Sequence, residues 1–161
     1  MKTKSIPTLY IMVGVPGSGK STWAKNNLIG IKYVSRDRVR FSLLSDTDEY
    51  FSKEKLVFQK FVDEISSNIT NGYSVVADAT NLNRQSRFKL VSAINTKQKY
   101  NIVFVYMNTS LETCLTRNST REGREKVPNL SIHSMYSALI TPKLNEFPNV
   151  KAIWTIEESE K

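Results

Sequence analysis

Two glycines, a lysine and a hydroxyl stand at telling intervals in Val13-Gly14-Val15-Pro16-Gly17-Ser18-Gly19-Lys20-Ser21-Thr22. Gly14, four free positions and then Gly19-Lys20-Ser21 is the spacing of a phosphate-binding loop, with an apolar run before it and a helical pattern after it. Glycines allow successive backbone N–H groups to turn inward around phosphate oxygens, and the helix that follows aims its positive end at the same point. In such a loop Lys20 reaches the β- and γ-phosphates and the Ser21 hydroxyl ligates Mg²⁺. Gly14, Pro16, Gly17, Ser18, Gly19, Lys20, Ser21 and Thr22 therefore form the expected cradle for a nucleoside triphosphate. The competing reading is a glycine-rich turn that happens to hold a lysine.

Three further clusters bear on where a phosphoryl group would go. In Ser35-Arg36-Asp37-Arg38-Val39-Arg40, a carboxylate among arginines can orient an attacking hydroxyl and take its proton, unless Asp37 merely caps a helix. Arg40, one helical turn on, can share a face with Asp37 and meet a phosphate of the acceptor. Asp78 closes the run Val75-Val76-Ala77 as a Mg²⁺-associated aspartate does, or it starts a turn; Thr80 and Asn81 follow with small hydrogen-bonding groups. Asn83 reads as the cap of a helix that carries Arg84 and Arg87. The densest charge lies at 117–128, where Arg117, Arg121 and Arg124 are spaced along one helical face before Gly123 and Pro128 limit it. That segment is either a mobile arginine-bearing lid over the triphosphate or a solvated basic loop balanced by Glu122 and Glu125.

These clusters need a scaffold that brings them to one edge. Apolar runs at Leu9 to Val13, Tyr33-Val34, Ser74 to Ala77, Ile102 to Met107 and Ala152 to Thr155 alternate with helical patterns, which predicts a parallel sheet covered by helices. Ligands of such sheets bind at the carboxyl ends of the strands, where all four clusters lie. Phe58, Phe61, Val62, Ile65 and Ile69 predict a helix with Ser52 as its N-cap and Asn71-Gly72 as its stop. Thr109 and Glu112 read as a capping box that opens another, carrying Leu111 and Leu115 inward and ending near Arg117.

Composition narrows the classes. With 161 residues the chain has the length of one domain, and no second catalytic domain is expected. The single cysteine, Cys114, excludes an internal disulfide, and no apolar run has the length of a signal-peptide core or a membrane span. A reducing, cytoplasmic setting is expected. The formal net charge of +8 favours polyanionic partners. His133, the only histidine, has no metal-ligand or base pattern near it.

Taken together, GVPGSGKSTWA, SRDRVR, ATNLN with Arg87 beyond it, and RNSTREG followed by VP and SMY resemble the kinase domain of the bacteriophage polynucleotide 5′-kinase family, from Gly14 to about Tyr136. The resemblance implies an adenylate-kinase-like P-loop kinase core: an α/β fold with a five-stranded parallel sheet flanked by helices and an arginine-bearing lid. It also implies ATP- and Mg²⁺-dependent phosphorylation of the 5′-OH end of single-stranded DNA or RNA. On it, Asp37 is the general base, Arg40 holds the phosphate 3′ of the terminal nucleoside, Arg121 is the lid arginine on the donor phosphates, and Arg117 supports the lid. Asp78, Thr80, Asn81, Arg87 and Met135 fall on the acceptor side. The chain departs from the family at Ala79-Thr80-Asn81, where Asp-Thr-Asn is common. Asp46-Thr47-Asp48 continues into Glu49-Tyr50 rather than Gly-Thr, so no phosphatase activity is expected. The rival readings are a P-loop kinase for a nucleoside, sugar or antibiotic, and a nucleotide-dependent module that binds nucleic-acid ends without chemistry.

Overall fold

The computed structural model describes residues 5–158. Five strands, β1 (Thr8–Val13), β2 (Lys32–Ser35), β3 (Val75–Asp78), β4 (Asn101–Asn108) and β5 (Val150–Glu157), form one sheet in the order β2-β3-β1-β4-β5. Every neighbouring pair is parallel. The inner strands are near-continuous apolar runs because helices cover both faces of the sheet. After β1 the chain moves outward to β2 and β3 on one side, and only then to β4 and β5 on the other. The carboxyl end of β1 is thus the point where the strand order reverses, and the glycine-rich loop sits there.

One face of the sheet packs Leu9, Ile11, Val13, Ala77 and Phe104 against α3 (Glu54–Thr70) and α4 (Arg84–Ala93). The other packs Met12, Val76, Val103, Val105 and Met107 against α1 (Lys20–Asn27) through Ala24 and Trp23. A third cluster, Val15, Cys114 and Ile132, joins the glycine-rich loop to α5 (Leu111–Ser119) and α6 (Asn129–Ala138). The remaining helix, α2 (Arg36–Leu43), follows β2 directly. No helix among the described residues is long and apolar enough to cross a membrane.

Several local expectations are corrected. α3 begins at Glu54 behind Lys53, which makes no side-chain cap, while Ser52 Oγ donates to Glu49 O in the preceding turn at 2.7 Å. Each fully buried Phe, Val or Ile contributes about 1.5–3 kcal/mol, against about 1 kcal/mol for a cap. Burial of Val57, Phe61, Val62, Ile65 and Ile69 therefore decides where α3 lies, and its start needs no cap. The stop at Asn71-Gly72 is as expected, with Asn71 as C-cap.

At α5 the cap is Ser110, whose side chain accepts from Thr113 N at 3.2 Å. Thr109 is buried and donates to Ser18 O at 2.8 Å, tying β4 to the glycine-rich loop. α5 ends at Ser119, so Arg121 and Arg124 do not continue its face. The buried Asn118 side chain turns the chain back, donating to Val127 O at 2.6 Å and accepting from Val127 N at 3.0 Å.

Arg87 is not an acceptor contact. It is fully buried, its Nε and Nη2 pair with Glu146 at 2.8 and 3.1 Å, and its Nη1 donates to Asn81 O at 2.9 Å. None of its surface is exposed to a ligand. The pair is shielded from solvent, with Glu146 only 3% exposed, so weakening one partner leaves an uncompensated charge in the interior. Glu146→Gln should lower stability by about 2 kcal/mol, a fall of roughly 4–8 °C in melting temperature at this chain length. Thermal unfolding followed by circular dichroism tests it; an unchanged midpoint would show the pair to be dispensable.

Candidate active site

Gly17 and Gly19 adopt φ of +86° and +90°, the left-handed region that a side chain resists. A Cβ on Gly17 would also meet Cys114 O at 2.5 Å. The glycines therefore hold a tight loop at the start of α1, within which Ser18 N donates to Val15 O at 3.1 Å. Ser18 lies buried in that loop with no partner for its Oγ among the described residues. Gly14 N donates to Thr80 O at 3.0 Å, and Asn81, at φ +45°, donates from its side chain to Met12 O at 2.7 Å. Thr80 and Asn81 thus fasten the end of β3 to the start of the loop, a positioning role for residues placed by sequence on the acceptor side.

Ser21 Oγ donates to Asp78 Oδ2 at 2.6 Å, and the Tyr33 hydroxyl donates to the same oxygen. Burial, reinforced by the negative charge of Asp78, pushes the Tyr33 hydroxyl well above its ordinary value, so it remains a donor. A hydroxyl beside one buried carboxylate offers oxygen donors of the kind Mg²⁺ takes, and such ions keep few protein ligands. No group of three or more metal-ligating acids, histidines or cysteines occurs among the described residues. Lys20 is half-buried at the first turn of α1 and makes no ion pair among the described residues.

Asp37 does not cap α2. Ser35 does, accepting from Arg38 N at 3.2 Å, which leaves the Asp37 carboxylate 65% exposed at the first turn. Its Oδ1 accepts from Arg40 Nη1 at 2.5 Å and from the Tyr50 hydroxyl at 3.0 Å. Oδ2 has no partner among the described residues. One oxygen is therefore held and the other presented, an arrangement suited to a general base. Burial, then the negative charge of Asp37, pushes the Tyr50 hydroxyl up to about 12, which keeps it protonated as a donor.

Arg40 is buried and engaged through all three nitrogens: Nε and Nη2 bind Glu54 Oε1 at 2.7 Å, Nη1 binds Asp37, and Tyr50 accepts from Nη1 at 2.9 Å. Its first action is on Asp37. Burial would raise the Glu54 carboxyl, but the hydrogen bond from Arg40 and the charges of Arg40 and Arg36 hold it below the ordinary carboxylate range.

Arg117 Nη1 donates to Gly17 O at 3.2 Å and stands beside Gly19. Arg121 follows the end of α5, half-buried, with its backbone N–H on Asn118 O at 3.0 Å. Arg124 Nη2 donates to Ser45 O at 2.5 Å, so the 117–128 segment touches the connection between α2 and α3. Met135, partly buried, packs against the cluster of Val15, Cys114 and Ile132. Burial raises the Cys114 thiol and leaves it inert.

Sequence reading missed the roles of Tyr50, Glu54 and Tyr33, and read Thr109 as a helix cap. Tyr33 lay inside a recognised strand whose period-2 alternation with the buried Val34 turns it to the opposite face, towards α1, and this was the one available signal. Tyr50 and Glu54 sit in a loop and at a helix start, where polar residues are ordinary.

Residues 9–140 match the protein family described as AAA domain. A bifunctional polynucleotide kinase/RNA ligase proposed for Autographa californica nuclear polyhedrosis virus is 29% identical over 160 residues, covering 91% of this chain and 22% of the relative. The chain thus spans about a fifth of the curated relative it matches. Among solved structures, a chain of the Pnkp1/Rnl/Hen1 RNA repair complex superposes with a TM-score of 0.68 at 24% identity, covering 86% of this chain and 45% of that one. A sugar kinase from Janibacter sp. superposes at 0.64 with 18% identity over 95% of this chain and 86% of the other. These superpositions show a P-loop kinase fold. With most of its length, residues 9–140, matched, the chain belongs to the AAA domain family.

Proposed function

We propose that the chain is an ATP-dependent phosphotransferase whose acceptor is the 5′-hydroxyl of a polynucleotide. The reading rests on one observation: Asp37, held by Arg40 and Tyr50 through Oδ1 with Oδ2 free, lies at the same strand edge as the glycine-rich loop. The baculoviral relative named for polynucleotide kinase and RNA ligase favours the polynucleotide acceptor, as does the resemblance to the phage family.

The loop N–H groups and Lys20 hold the triphosphate, and Ser21 with Asp78 is the place for Mg²⁺, which when bound offsets charge on the β- and γ-phosphates. Asp37 Oδ2 accepts the proton of the 5′-hydroxyl as its oxygen bonds to the γ-phosphorus. The bond from that phosphorus to the bridging oxygen breaks and ADP leaves. Arg121 closes on the transferring group, while Arg117 keeps the loop in place from Gly17 O.

Incubation with γ-labelled ATP, Mg²⁺ and a mixture of 5′-OH oligonucleotide, nucleoside 3′-monophosphate and free nucleoside tests this. Label should enter the oligonucleotide. Label on the free nucleoside alone would instead assign a small-molecule acceptor, and label on none of the three would remove the polynucleotide reading.

A further inference from the structure

Phe51 is 66% exposed in the connection between α2 and α3, and its position is unusual for a stray surface aromatic. Its ring stands edge-on to Tyr50, with centroids 4.6 Å apart and planes at 82°; Tyr50 is backed in turn by Phe41 at 6.1 Å. Tyr50 is the residue whose hydroxyl holds Asp37 Oδ1 and meets Arg40 Nη1. The Arg40 guanidinium carbon lies 4.4 Å from the Tyr50 centroid and 5.7 Å from that of Phe51. Phe51 is therefore one side chain removed from the carboxylate that faces the acceptor.

The connection that carries it is anchored. Arg124 donates to Ser45 O, Lys53 Nζ donates to Leu43 O at 2.8 Å and pairs with Asp48 at 3.3 Å, and Ser45 N donates to Asp48 Oδ2 at 2.8 Å. The ring is thus presented on a fixed turn, where stacking a ligand orders little additional chain.

We propose that Phe51 is a stacking platform for an unpaired nucleobase near the 5′ end of the acceptor strand. The inference rests on the polynucleotide reading above and gives it a second contact, on the base rather than on the hydroxyl. A π-face beside a guanidinium is how single strands are commonly held without regard to sequence, because every base offers a face of its own. Such a contact acts on acceptor affinity and not on the donor.

The test is a set of 5′-OH oligonucleotides, one intact and others with a tetrahydrofuran abasic residue at the first, second or third position, phosphorylated by wild type, Phe51→Ala and Phe51→Trp. Wild type should lose about tenfold or more in kcat/KM at one abasic position. Phe51→Ala should handle intact and abasic strands alike, and Phe51→Trp should restore the discrimination. Melting temperature and ATP affinity should match wild type in both variants, since the ring is largely outside the core. If Phe51→Ala still discriminates as wild type does, the platform alone is overturned. If no oligonucleotide is labelled by any of the three proteins, the polynucleotide reading falls and the platform with it.

Discussion

Asp37→Asn should bind ATP as wild type does and transfer phosphate roughly 10²–10⁴ times more slowly. The substitution keeps the shape of the side chain and the Oδ1 acceptor that Arg40 and Tyr50 use, so the local frame survives. Arg40 also retains Glu54, which forestalls collapse of the turn between α2 and α3. What is lost is the free oxygen able to take a proton. Single-turnover transfer from γ-labelled ATP to a 5′-OH oligonucleotide, beside direct nucleotide binding, separates the two properties. A variant that transfers at the wild-type rate would remove the base assignment, and one that loses ATP would show that Asp37 serves the donor side.

Legibility along the chain followed the range of the interactions involved. The three inner strands were readable because buried parallel strands need continuous apolar runs, while the edge strands β2 and β5, largely outside the core, showed only as short apolar stretches. The glycine-rich loop was readable because its geometry depends on local φ at Gly17 and Gly19. Arg87 was misplaced because its partner, Glu146, lies 59 positions away and shows no local sign of the pairing. Thr109 and Ser110 are both acceptable caps, and only the buried Ser18 carbonyl across the loop decides which of them is used elsewhere. The regular spacing of Arg117, Arg121 and Arg124 suggested one helix, yet Asn118 closes on Val127 and ends it. Arg40 was correctly set one turn from Asp37, while its pairing with Glu54 depended on where α3 packs and that with Tyr50 on the turn before it.

The broken helix bears directly on the second large effect. Because Arg117 already spends a guanidinium nitrogen on Gly17 O, it is fixed to the loop before any acceptor arrives. Arg121 lies beyond the end of α5 and makes no side-chain hydrogen bond or ion pair among the described residues. An arginine that meets charge only as the phosphoryl group transfers contributes to kcat, whereas one that shapes the resting loop contributes to nucleotide affinity. Arg121→Ala should therefore lower kcat by up to about 10³–10⁵-fold, the range of arginines that act on a transferring phosphoryl group, with little change in ATP binding. Arg117→Ala should raise the KM for ATP and lower kcat less. Steady-state kinetics of both variants, with ATP varied at saturating oligonucleotide, decides between them. If the ranking is reversed, Arg117 is the arginine on the transferring group and Arg121 only closes the segment; if neither variant loses transfer, the lid plays no part in the chemistry.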